Sequence, residues 1–462
     1  MSASRSLLRS TTTRAIIRPC PSCIASTRIQ LVPCNGGNQV SSSSTQRKHW
    51  PCKTTIWRRS YATQRLDVVR LRADVDERSR YGFYKLSKIQ ASLKMEADKA
   101  NAIYNDFVAH KSRIDHKSNV LRLSKKYNCT IEDVADLALA TYMIPDLSDP
   151  EKKRQLPPSK HKPMAGLMLQ GCAHNADPLA IVHILSAIYL NMATSHATAH
   201  EIALLFPESE IAKYHSTLED LCSKSEKIAL GPDCLTLKGL FLEKRGQTEK
   251  AKEAFQLAIK RSHLQPGVGA KNPLLLPLIA PWNALGYLLA SNKDPTVQAQ
   301  AKTYFLLGAK EADDPLSCYE VAKYETRTSP DWLKWTSKAA ASGHAQASFD
   351  LAEFYQELSK DPQPILKSSG MRKALNWLLK WRPDDAGMLA REWLQVASNL
   401  GHKPAALQLA DYCESVGDYQ GATEHFRRIL EQPHSAAQVE AWPQIVRQAQ
   451  RRLDTLRTKM PA

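Results

Sequence analysis

A stretch that occurs twice restricts the folds open to this chain more than any other feature. Trp335 to Tyr355 reads WTSKAAASGHAQASFDLAEFY and Trp393 to Cys413 reads WLQVASNLGHKPAALQLADYC, with 58 residues between equivalent positions. Trp335 meets Trp393, Ala339 meets Ala397, Gly343 meets Gly401, His344 meets His402, Ala347 meets Ala405, and Leu351-Ala352 meets Leu409-Ala410. Trp335 and Ala339 are four apart and share one helical face. Gly343 can take the positive φ that stops that helix, and Ala347, Leu351 and Ala352 begin a second apolar stripe. The spacing predicts helix, tight turn, helix. Small residues fall where two backbones must approach, and one such pair cannot bury its own apolar face, so neighbouring pairs must stack.

Related patterns precede this pair. GLMLQGCAHNADPLAIVHILSAIYL is again two apolar helical stretches around a turn. In DCLTLKGLFLEKRGQTEKAKEAFQLAIKRS, the residues Gly239, Leu242, Gly246, Ala251, Phe255 and Ala258 fall where tetratricopeptide repeats carry their signature residues. WNALGYLL and AKTYFLLGAKEADDPLSCYEVAKYE continue the pattern after a Pro-rich interruption at 266–281. Residues 161–432 therefore resemble a Sel1-like and tetratricopeptide helical solenoid, closely in 233–261 and 332–430. The insertion DPQPILKSSGMRKALNWLLKWRPDDAG and the unequal unit lengths make it irregular. The expected class is all-α, an irregular α-solenoid.

Upstream, 85–127 contains no Pro or Gly, and Leu86, Leu93, Ala100, Phe107, Ile114 and Leu121 recur every seven residues. The pattern predicts a long helix with one narrow seam, bent or broken once, packed on the chain's own array. Thr130, three residues before Asp133, reads as the cap of a helix to Ile144. Pro145, Pro150, Pro157, Pro158 and Pro163 then mark a boundary that closes an N-terminal helical region, 62–160. Residues 433–462 are read as a C-terminal capping helix and tail.

The chain's net charge of +17 suggests nucleic acid until it is divided by segment. Residues 1–66 hold eleven Lys or Arg and no acid, while 161–432 hold 29 basic and 30 acidic residues. An acid-free, Arg-rich and Ser/Thr-rich start has the composition of a mitochondrial transit peptide, expected to be disordered over 1–61. RRSYATQ places Arg59 three residues before an expected cut after Tyr61. Four cysteines leave with that leader, and the six that remain are widely spaced, as core residues of a reducing compartment would be. The expected location is the matrix, with attachment at the inner membrane left open. Pro273 to Ala290 is uncharged over eighteen residues, but its prolines and Asn283 argue against a spanning helix.

Neither catalysis nor cofactor binding is expected. There is no GxxxxGK[ST], GxSxG or GxGxxG signature. His196 and His200 are one turn apart without a third ligand and read as solvent-facing residues at a helix end, so no metal is expected. Asp313-Asp314 and Asp384-Asp385 read as turn and capping residues. The resemblance implies a groove lined by Phe349, Glu353, Gln356, Glu357, Leu407, Asp411 and Glu414, acidic over an apolar floor and suited to a basic or apolar protein segment. The expected function is a non-enzymatic protein-binding scaffold, assisting assembly or quality control of a respiratory-chain or ribosomal complex. An RNA-processing or translation factor is the alternative, disfavoured with nucleic acid as a partner by the neutral repeat body.

Overall fold

The computed structural model describes residues 60–193, 196–262, 264, 274–379, 385–431 and 440–459, with side chains from 68 onward except at 377, 379 and 457–459. Residues 1–59 of the expected transit peptide, Arg59 among them, lie outside the described residues, whereas Ser60 and Tyr61 are helical rather than disordered, in the first turn of the first helix. No strand occurs among the described residues.

The N-terminal part comprises α1 (Ser60–Ile89), α2 (Ala97–His110), α3 (His116–Lys126), α4 (Ile131–Tyr142) and the short α5 (Pro150–Gln155). The helix expected over 85–127 is thus broken twice, and its first piece begins 25 residues earlier, at Ser60. Both breaks have local causes. At the first, Ala91 takes φ 55 and the Ser92 N–H reaches back to the Ser87 carbonyl at 2.9 Å. At the second, the Asp115 carboxylate accepts from the Ser118 N–H and starts a new helix. The seven-residue seam still points inward at Leu93, Ala100 and Phe107 but reaches the surface at Leu121. Thr130 caps α4, and Asp133 returns the bond to the Thr130 N–H, which completes a capping box.

Helix α1 rests on its neighbours through polar groups. Arg72 bridges Asp76 and Asp146, both at 2.8 Å. Arg80 donates to Asn101 and Asn105 at 2.8 and 2.9 Å and lies over the Tyr104 ring. Tyr84 shares a 2.7 Å hydrogen bond with Thr141. These side chains, four residues apart in turn, form the buried stripe of α1.

The chain continues through α6 (His161–His174), α7 (Pro178–Ala193), α8 (Ala197–Ala203), α9 (Glu208–Ser223), α10 (Gly231–Lys244), α11 (Thr248–Arg261), α12 (Pro281–Ala290), α13 (Pro295–Glu311) and α14 (Pro315–Ala322). Then come α15 (Pro330–Ala341), α16 (Ala345–Lys360), the short α17 (Gln363–Leu366), α18 (Ser369–Ala374) and α19 (Asn376–Leu379), and finally α20 (Asp385–Asn399), α21 (Lys403–Ser415), α22 (Tyr419–Leu430) and α23 (Pro443–Lys459). From α9 to α16 each helix packs on the next, α16 packs on α20 across the short helices of the insertion, and the order resumes through α23. Sequential packing of this kind is compatible with a helical solenoid.

One apolar core runs from Tyr84 to Ala390, and smaller clusters join α16 to α20 and α21, and α21 to α22 and α23. The Pro-rich stretch at 145–163 does not interrupt this core, because α3 and α4 pack on α6 from its other side.

The turns share one design. Gly343 and Gly401 both have φ 87; the N–H of the residue after each reaches a carbonyl five residues back, His344 to Ala339 at 3.1 Å and His402 to Ala397 at 3.0 Å. This 6→1 bond closes the first helix, and the same histidine then caps the second. Ala176 (φ 57), before Asp177, holds the corresponding place between α6 and α7 without glycine. A β-branched side chain is strained at this φ, so Gly343→Val and Gly401→Val are each expected to cost ~1–3 kcal/mol. Urea denaturation checks this; unchanged midpoints would contradict the assigned turn.

Candidate interaction surface

Helices α16 and α21 carry the seven residues expected to line a groove, and the structure uses most of them internally. Phe349 is 9% exposed and its ring centroid lies 4.5 Å from that of His402, within the apolar cluster of Ala352, Leu394 and Leu409. Leu407 is half-buried against the core between α21 and α23. Gln356 donates to the Gln408 amide oxygen at 3.1 Å, tying α16 to α21. Glu353 and Glu357 flank one guanidinium, that of Arg327, at 3.8 and 3.4 Å. Arg452 of α23 donates to Asp411 and, at 2.6 Å, to Glu414, while its guanidinium covers the Phe426 ring at 4.9 Å.

Phe349 and Leu407, the expected apolar floor, pack within the fold, and the four carboxylates face two arginines, Arg327 in the turn between α14 and α15 and Arg452 on α23. These ion pairs are partly exposed and contribute modestly to stability, and they offset half of the negative charge of the four carboxylates. Sequence reasoning missed both arginines, because nothing near Arg327 or Arg452 in the chain marks them as partners of α16 and α21.

The open part of this surface is apolar and aromatic. Tyr412 (41% exposed) lies in the last turn of α21 and Val416 (59%) caps that helix four residues later, and Met388 and Tyr419 are also exposed. Arg391 of α20 lies over the Tyr412 ring at 4.8 Å and joins the two helices at that face.

The histidines are structural. The Ala347 N–H donates to Nδ1 of His344 at 3.1 Å, and the Ala405 N–H to Nδ1 of His402 at 3.3 Å. Each also meets an aromatic ring of the preceding unit: His344 stacks on Tyr319 with centroids 4.1 Å apart, and His402 lies against Phe349. Burial pushes His344 down to about 4, with Lys323 adding to the effect, and burial alone does the same to His402. His196 caps α8 through the Ala199 N–H, and His200 bonds Asn191 at 3.0 Å. Both are half-buried rather than solvent-facing.

Asp314 accepts from the Ser317 N–H and the Asn283 amide, the capping role expected of it. Asp385 begins α20, and Asp384 lies outside the described residues. The six cysteines among the described residues are free thiols; Cys172, Cys222, Cys234 and Cys318 are buried, and burial raises Cys222 and Cys318 to about 12. Among the described residues no group of His, Cys, Asp or Glu has the arrangement to hold a metal ion. No single described helix is long and apolar enough to cross a membrane.

No family model matches the sequence, and no curated protein matches it.

Proposed function

We propose that the protein is a non-enzymatic scaffold of the mitochondrial matrix, an irregular array of Sel1-like and tetratricopeptide units behind a cleaved, disordered leader. In this reading it holds other proteins during assembly or quality control of a respiratory-chain or ribosomal complex. The observation that carries it is the exposed Tyr412–Val416 face on stacked helices, beside the Asp411 and Glu414 carboxylates that Arg452 holds. Amphipathic aromatic groups on a rigid helix pair offer contact area to a protein segment at small entropic cost. Converging polar groups support the same reading, since Asp314, His344, His402 and Arg452 hold helices together.

Two measurements test it. N-terminal sequencing of the protein isolated from cells is expected to find a start near Ala62; a start at Met1 would remove the mitochondrial part of the reading. The second measurement is crosslinking in intact mitochondria, with the wild-type chain compared with Tyr412→Asp/Val416→Asp. Both side chains are exposed, so the substitutions leave the core intact. The expected result is a defined set of protein crosslinks that falls about tenfold in the variant. Ultraviolet crosslinking to RNA that dominates in both forms would favour the RNA-factor alternative and overturn the scaffold.

A further inference from the structure

Helices α9 and α10 pack on one another and hold a pocket of about 160 Å³ between them. His215, Leu218 and Glu219 form its α9 wall, and Lys238, Phe241 and Arg245 form its α10 wall. The Phe241 ring stands edge-on between two neighbours, His215 at 4.5 Å and Tyr189 at 5.8 Å between centroids, which fixes the apolar side of the pocket. Lys238 donates to Glu219 across the gap, so those two charges cancel. Arg245, the C-cap of α10, is exposed, and its guanidinium has no hydrogen-bond or ion-pair partner among the described residues; the same holds for the half-buried His215 ring. Burial, with Arg245 adding to the effect, holds His215 below its ordinary value, so the ring is neutral at pH 7. Glu219 is the one acid in the lining, which therefore carries a single uncancelled positive charge.

We infer that this pocket binds a small monocarboxylate with an apolar body, either a free acid or the last residue of a protein chain. Size sets the body. A cavity of about 150 Å³ is filled by one benzene ring, so the space between Leu218 and Phe241 takes a single ring or a branched aliphatic group. Charge sets the head group: one uncancelled guanidinium matches one carboxylate, whose two oxygens fit its fork. A phosphate monoester carries nearly two charges and would leave one unmatched, and a nucleic-acid strand is too large for the space. The neutral His215 ring has an N–H to add to the same oxygens. At the end of α10 the carbonyls of Leu242 and Glu243 accept the N–H groups of Gln247 and Gly246, both at 2.9 Å, which reduces the repulsion a helix end offers an anion. The pocket and the Tyr412–Val416 face are on different helices, so this inference stands or falls apart from the scaffold reading.

Calorimetry and saturation-transfer NMR on the full chain test this, with 3-phenylpropanoate as the probe. Binding is expected, and Arg245→Gln should weaken it about tenfold by removing a charge-assisted bond. The neutral 3-phenylpropanamide should lose a similar factor on the wild-type protein. Ser216, an exposed lining residue, provides an independent variant: Ser216→Trp is expected to cover the opening and abolish binding. Both positions are exposed, so the melting temperatures of both variants should match the wild type. The basic leader is common to all three proteins, so its contribution cancels. N-acetylphenylalanine then separates the two sources: binding at least as tight as that of 3-phenylpropanoate identifies a chain terminus, and weaker binding identifies a free acid. No binding at millimolar probe, affinity unchanged by either variant, or equal affinity for phenyl phosphate would overturn the inference.

Discussion

Between pH 7 and pH 5, the C-terminal units are expected to lose about 2 kcal/mol for each of His344 and His402, relative to a protein in which both are asparagine. Both imidazoles are buried, at 1% and 5% exposure, and both are depressed to about 4 in the fold, against an ordinary value of 6.5. The sign follows from proton counting. Below about 6.5 the unfolded chain takes up protons that the folded chain refuses, so this stability is complete above 6.5 and is lost as pH falls toward 4. Geometry gives the same direction, since each Nδ1 accepts a helix-capping N–H and must be unprotonated to do so. Asp136 and Asp177, raised to about 6 by burial, work the other way but act equally in both proteins. Asparagine is chosen because it caps well and does not titrate. Urea denaturation of wild type and His344→Asn/His402→Asn across this range reads the difference; parallel curves would refute it.

Phe255→Ala is expected to destabilise by about 3–5 kcal/mol, the range for removing a fully buried aromatic ring. Phe255 is 0% exposed and lies against Gly239 so closely that a Cβ there would meet the ring at 2.4 Å. Gly286 and Phe305 repeat this contact, with 2.6 Å to the ring. The pair should therefore behave as one unit. Gly239→Ala alone is expected to cost ~1–3 kcal/mol by overpacking, and much of that should vanish in a Phe255→Leu background, where the ring no longer occupies the space. A double-mutant cycle in urea checks the coupling. Additive costs would mean that the two helices can slide apart without penalty.

The turn glycines and the Thr130 cap were legible in the sequence, because each depends on residues close in the chain. The breaks after Ile89 and His110 were not. Absence of Pro and Gly permits a long helix without enforcing one, and Ala91 at φ 55 gives no compositional sign of a turn. Only Asp115 left a trace, as a capping residue three before Ser118. For the interaction surface the carboxylates were visible but their arginine partners were not. Arg452 meets Asp411 and Glu414 because α23 folds back over α21 and α22, a consequence of packing rather than of any local pattern.

The polar underside of α1 makes its seating discontinuous. An apolar stripe can shift along its partner and lose contact area gradually, but the Arg72, Asp76, Arg80 sequence alternates in sign at each turn. Sliding α1 by one turn, ~5.4 Å, would carry Asp76 to the place of Arg72, facing the carboxylate of Asp146. Arg80 would arrive where Asp76 now accepts from Ser159, leaving Asn101 and Asn105 without their donor. Intermediate positions strand buried charges, which costs several kcal/mol for each ion left alone. The helix can sit in one register or come away altogether, so the distance between its amino-terminal end and the array is fixed like a tooth in a notch.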